Sequence, residues 1–176
     1  MADLTTLAAV KAHGSITGTE QDALISKLIT EVSMGIDNYC NRPLMSDART
    51  DCRNGNGGNT MQLRDFPVSS VSSVVVDGRT VPPANYALVE RSVVLDGYVF
   101  TRGRFNVRID YVAGYATPPA DIELSCIESV LLCLKRFSHM DVSSKSLAGE
   151  TVSFIVTDLP PSAKQRLNNY RLVSPM

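Results

Sequence analysis

Apolar and polar residues alternate before the longest apolar stretch of the chain. Phe105, Val107, Ile109 and Tyr111 fall on one side of a period of two, and Asn106, Arg108 and Asp110 on the other. That period predicts a half-buried strand. Gly114 and Tyr115 break it. Thr117, Pro118, Pro119 and Asp121 then predict a helix start, with proline in the first turn and an acid near the positive end. Ile122, Cys126, Val130, Cys133, Leu134 and Phe137 recur about once per turn, and Leu124, Ile127, Leu131 and Leu132 add a second stripe. A helix apolar on most sides is buried on most sides. This helix is therefore the expected core, with Leu131 and Leu134 buried. Glu123, Ser125, Glu128 and Ser129 interrupt it too often for a membrane span.

The same period of a helix appears earlier. Leu24, Ile25, Leu28, Ile29, Val32, Ile36, Tyr39 and Cys40 form a stripe, with Thr19 as expected N-cap and Asp22 three residues on. Gln21, Lys27, Glu31 and Asp37 are left for solvent, and Asn41 and Pro43 stop the helix. A short helix is predicted before it, capped by Asp3 or Thr5, with Leu7 and Val10 inward and Gly14 at its end.

From 45 to 59 no period is visible, and Asn54, Gly55, Asn56, Gly57, Gly58 and Asn59 read as a flexible connector. The loop lacks the Gly-Lys-Ser/Thr ending of a phosphate loop and the acids of a calcium loop. Short strands follow: Met61 and Leu63; Val71, Val74 and Val76; a hairpin turn at Asp77-Gly78; residues 86–89 and 93–95; a second turn at Asp96-Gly97; then 99–101. Hairpin links make the sheet antiparallel. Residues 138–150 are small and polar. Residues 151–156 alternate as a late strand, and Pro160-Pro161 opens a final helix with Ala163, Leu167 and Tyr170 inward and Lys164, Arg166 and Arg171 outward. The expected fold is α+β: a small helical bundle of two long helices plus short N- and C-terminal helices, with an inserted antiparallel β-hairpin sheet. It is expected as one domain over 1–176, with a β-rich insertion at about 60–115 and a C-terminal arm at about 157–176.

Composition narrows the functions. A net charge of −1 and a pI near 6.1 lack the basic surplus of a general nucleic-acid binder. Without tryptophan, and with 6% aromatics, base-stacking platforms are not expected. No basic region followed by an apolar run occupies the first residues, so no secretory signal is expected. Cys40, Cys52, Cys126 and Cys133 lack zinc-type spacing and read as small apolar residues of a reducing compartment. His13 and His139 stand at or near element ends without a serine–histidine–aspartate order, and Glu123 and Glu128 do not share a helix face. Arg91, Arg102, Arg104 and Arg108 are offset by Glu90, Asp96 and Asp110. No catalytic residue, metal site or cofactor is expected.

The order of elements carries a resemblance. A capped amphipathic helix ends in Tyr39-Cys40-Asn41-Arg42-Pro43. Leu63-Arg64-Asp65-Phe66-Pro67-Val68 leads into Val71-Ser72-Ser73-Val74-Val75-Val76-Asp77-Gly78. Asn85-Tyr86-Ala87-Leu88 and Ile109-Asp110-Tyr111-Val112-Ala113-Gly114-Tyr115 precede the proline-started helix, and Leu159-Pro160-Pro161 precedes Leu167 and Tyr170-Arg171. From about Leu4 to Arg171 this resembles the small head–tail connector (adaptor, neck) proteins of tailed bacteriophages. The β region between Met61 and Gly103 is larger than in the shorter members.

The resemblance implies a structural virion protein without enzyme activity, assembled in the bacterial host cytoplasm. It implies a homo-oligomeric ring, usually of twelve subunits, at the neck below the portal protein. Such a ring extends the DNA channel and attaches a stopper or tail-completion protein, with DNA only passing through and no membrane partner. A near-neutral wall suits that passage, because each phosphate contact adds salt-dependent binding. Leu167, Tyr170, Arg171, Leu172 and Val173 are the expected portal contacts. Asn54, Gly57, Ser144 and Lys145 are expected in mobile inter-subunit loops. The alternatives are a head-completion stopper or tail-terminator protein, a small enzyme with an unrecognised site, and a DNA-packaging or regulatory DNA-binding protein. The two long helices argue against the first, the missing catalytic constellation against the second, and the charge against the third.

Overall fold

A computed structural model describes residues 2–139 and 159–172. The chain divides into two compact units: Met1–Leu44 with Thr117–Met176, and Met45–Ala116. The mixture of helices and antiparallel strands is the expected α+β class. The expected strand at 151–156 lies outside the described residues.

The first unit is helical. Its elements are α1 (Leu7–Gly14), α2 (Asp22–Cys40), α3 (Ala120–His139) and α4 (Pro161–Leu167), the last followed by a 3-10 turn at Asn168–Tyr170. Thr6, rather than Asp3 or Thr5, caps α1, its hydroxyl accepting the Ala9 N–H at 3.2 Å. Thr5 is buried and its hydroxyl donates to Glu123 on α3 at 3.4 Å. The side chain of Thr19 does not cap α2, which has no side-chain cap. Its first turn is held instead by Asp22, which pairs with Lys11 of α1 at 2.7 Å. Asn41 ends α2 in a left-handed conformation (φ 55°), the stop that its residue type favours.

Three polar residues expected in water or as interruptions belong to the core. Asp37 is buried and accepts the Leu44 N–H at 3.0 Å. Ser125 is buried too, as is Ser129, and each hydroxyl donates back to the carbonyl four residues earlier, at 2.6 and 2.7 Å. A serine satisfied this way presents a small surface to a neighbouring helix. Ser33 of α2 meets Cys126 of α3 at 3.8 Å, so small side chains bring these helices together. The buried face of α3 is thus Ile122, Ser125, Cys126, Ile127, Ser129 and Val130. Leu131 and Leu134 are only half-buried, against the expectation, because the small residues form the close face and the leucines lie beside it.

The second unit holds seven strands: β1 (Asp47–Gly55), β2 (Thr60–Gln62), β3 (Val68–Val76), β4 (Arg79–Thr80), β5 (Tyr86–Val89), β6 (Ser92–Leu95) and β7 (Gly103–Ala113). They form two antiparallel sheets, β1-β7-β3-β4 and β2-β6-β5. Asp77 and Gly78 both have positive φ (50° and 75°), as a tight two-residue hairpin requires. Met61, Leu63, Val74, Val93, Leu95 and Phe100 pack with Val107, Ile109, Tyr111 and Ala113 of β7.

The patternless stretch is a correction. Residues 47–55 form an edge strand paired with β7 along its length. Its less exposed face carries Arg49, Asp51 and Arg53, so no apolar alternation marks it. Arg49 lies 3.7 Å from Asp65, Asp51 accepts the Arg64 N–H at 3.1 Å, and Arg53 donates to the Gln62 carbonyl at 3.0 Å. Charged side chains tied to neighbouring backbone do here what valines do elsewhere. Residues 99–101 are likewise not a strand, although Phe100 is fully buried.

Candidate functional site

Pro160 and Pro161 open α4 as the sequence predicts, and Ala163 and Leu167 are fully buried. Arg166, expected to point outward, reaches α3 instead. Its Nε donates to Ser125 Oγ at 3.1 Å and its other end pairs with Glu128. This clamp fixes α4 on the core helix and places the residues after it beside the C-terminal end of α2.

There the chain is strapped down. Arg42, almost fully buried, donates from Nε to the Tyr170 carbonyl at 2.8 Å. The Tyr39 hydroxyl donates to Asn168 Oδ1 at 2.7 Å, and the Arg171 guanidinium lies 5.5 Å over the Tyr39 ring. The Leu172 N–H bonds the Cys40 carbonyl at 2.8 Å, and its carbonyl accepts from Asn41 Nδ2 at 3.3 Å. The last carbonyls of a helix otherwise lack partners, and this strap supplies one. Burial pushes the Cys40 thiol up to about 11, with Arg42 pulling less strongly the other way.

Of the expected contact residues, Leu167 is buried, Tyr170 and Leu172 are half-buried and Arg171 is exposed. Val173 lies outside the described residues, as do Ser144 and Lys145. The strap's partners Tyr39, Asn41 and Arg42 were not expected. Asn41 and Arg42 make long-range bonds to backbone atoms and Tyr39 to the Asn168 side chain, which no spacing in the sequence reports.

Asn54 and Gly57 lie at one end of the first sheet. Asn54 Oδ1 accepts the Phe105 N–H at 2.8 Å, and Gly57 donates to the Phe100 carbonyl at 2.7 Å with φ 81°. Asn56 closes on Thr60 and Gly58 at 2.9 Å each. Asparagine amides therefore order this loop within its own unit. Phe105 departs from the expected apolar face of β7: its φ is 50° and it is 74% exposed.

The helical unit also carries an open groove of about 580 Å³ between α2 and α3, lined by Leu28, Val32, Leu132, Cys133 and Leu159 among others. Among the described residues, no three His, Cys, Asp or Glu side chains gather where one metal ion could sit. No described helix is long and apolar enough to cross a membrane.

A family model described as head completion protein matches residues 3–173. No curated protein matches the chain. Solved structures similar to it come from gene transfer agent (GTA) particles. A chain of the neck of the native particle, computed with C12 symmetry, has a TM-score of 0.60 and 15% identity, over 99% of this chain and 96% of that one. A chain of the neck of the empty particle, computed with C6 symmetry, has a TM-score of 0.59 and 19% identity, over 97% and 90%. One from the virion of the native particle has a TM-score of 0.62 and 16% identity, over 97% and 90%. At these identities the likeness is one of fold.

Proposed function

The chain belongs to the head completion protein family, and we propose on that footing that it is a structural protein of the virion neck, a head–tail connector. The observation that carries this reading is the family match over 3–173, which takes in both units of the fold. Neck and virion assemblies with the same fold support the location. In this role the protein forms a ring on the portal at the capsid vertex, extends the DNA channel and offers a surface to the next neck or tail protein. Its work is binding, not catalysis.

The single domain expected from the sequence stays part of this reading, with the β unit as an insertion in the helical one; the support is that the chain enters it after Leu44 and leaves it before Thr117. The strap is the portal-side surface. Leu167 anchors α4, while Tyr170, Arg171, Leu172 and Val173 make the contact. For Tyr170, Arg171 and Leu172 this assignment is supported by their place at the end of α2, where aromatic and guanidinium groups stand partly exposed, the residue types that dominate binding energy at interfaces.

Deleting residues 172–176 tests it. The shortened chain should keep the thermal unfolding of the full one to within a few degrees, since terminal residues seldom hold a domain together. Its affinity for isolated portal rings should fall about tenfold or more, roughly 1.4 kcal/mol. Undiminished portal binding by a folded truncation would move the contact elsewhere. A head-completion stopper is the second reading, favoured by the description of the matching family, head completion protein. Direct binding to portal, or binding only to a ring already seated on portal, separates the two.

A further inference from the structure

Phe105 is the most exposed large apolar residue among the described ones, at 74%. Its backbone has a positive φ of 50°, which bulky side chains rarely adopt and which has an energetic cost. The surrounding turn enforces it. Asn54 takes the Phe105 N–H at 2.8 Å, and Asn106 bonds Gly55, Asp77 and the Thr101 carbonyl at 2.9, 2.9 and 2.8 Å. A Cβ at Gly103 would come within 2.6 Å of the Asn106 side chain, so the turn closes tightly on itself. The result is an aromatic knob held in water by a locked backbone, with Arg102 and Arg104 exposed on either side. Nothing inside the β unit gains from that placement. A pre-organised aromatic side chain is what a protein interface uses as an anchor.

The groove on the helical unit has the complementary form. It is concave, lined by Leu28, Val32 and Leu132, and it has Gly35 on its wall. A glycine within a helix weakens it. A Cβ at Gly35 would meet no atom within 4 Å, so crowding within the subunit does not call for glycine there. Glu31 also lines the groove, held only loosely by Lys27 at 3.8 Å, with both side chains largely exposed. It offers a carboxylate to an incoming arginine. Lys164 contributes an aliphatic stem to the same lining.

We propose that the Phe105 knob of one subunit seats in the α2–α3 groove of a second copy of this chain, with Arg102 or Arg104 meeting Glu31. The inference rests on the ring reading above. A ring of identical subunits closes through two different patches on each copy. An apolar knob on one unit of the fold and an apolar groove on the other meet that requirement, and Glu31 in the groove is opposite in charge to Arg102 and Arg104 beside the knob.

Two kinds of variant test the contact in full-length chain. In a Cys52→Ser, Cys133→Ser background, protein carrying Phe105→Cys is mixed with protein carrying Gly35→Cys under mild oxidation. Disulfide-linked dimers should form in the mixture and in neither protein alone. Separately, Phe105→Asp and Gly35→Trp should each fold with wild-type thermal unfolding and lose ring formation about tenfold, by native mass spectrometry with and without portal. Rings that form undiminished in both variants, without the cross-link, overturn the contact and leave the ring reading standing. Loss of assembly in Gly35→Trp alone, without the cross-link, gives the groove to portal or to another part of the chain and overturns the contact as well. A wild-type chain that forms no ring in either condition defeats the ring reading and this inference with it.

Discussion

The carboxylate of Asp37 sits buried at the end of α2 and receives the N–H of Leu44, where the chain leaves the helical unit. Removing that acceptor strands a buried donor, which costs about 1–3 kcal/mol. Asp37→Ala should therefore lower the stability measured by urea unfolding by about that amount, whereas Glu31→Ala, on the exposed face, should change it little. Asp110 shows the same chemistry at a sheet surface. Thr50 and then Ser73 donate to its carboxylate, at 2.6 and 2.7 Å, and hold its pKa below the usual carboxylate value. A lowered carboxylate stabilises the fold above its unfolded pKa, and that contribution is lost as pH falls through the folded value. Thr50→Val should accordingly cost most at neutral pH, and the difference from wild type should shrink steadily below about pH 4. A difference that grew on acidification would contradict the role given to Thr50.

At the scale of elements, α3 organises the helical unit through its small face. Ile122 is fully buried and Leu134 only half so. Ile122→Ala should cost about 2–5 kcal/mol, and Leu134→Ala distinctly less. Equal losses in thermal unfolding would restore the leucine stripe as the core. The difference shows what the sequence could convey. Period-two alternation found β7, Asp77-Gly78 found the β3–β4 hairpin, and Pro118-Pro119 found the start of α3, because in each the signal is local. β1 escaped because its inner side chains are Arg49, Asp51 and Arg53, satisfied by Asp65 and by the backbone of Gln62 and Arg64. Ser125 and Ser129 read as breaks in a stripe, since a hydroxyl bonded to its own helix looks polar in sequence and behaves as a small core residue. Of the candidate site, the Pro-Pro break and the α4 stripe were legible. The strap was not, because it depends on where α2 ends in space.

For the whole molecule, the family match and the residue reading agree on a binding role. Aromatics and guanidinium groups cluster at the strap, and an aromatic knob and an apolar groove lie on separate units. Those features suit a subunit of a ring, and the proposal above gives the strap to portal and the knob and groove to further copies of the chain. The most direct measurement is the mass of the complex formed when purified chain is mixed with purified portal rings, read by native mass spectrometry. The connector reading predicts one discrete species with twelve copies per twelve-fold portal ring. Any other discrete copy number would contradict the twelve-subunit ring, and a chain that stays monomeric beside intact portal would contradict the neck role altogether.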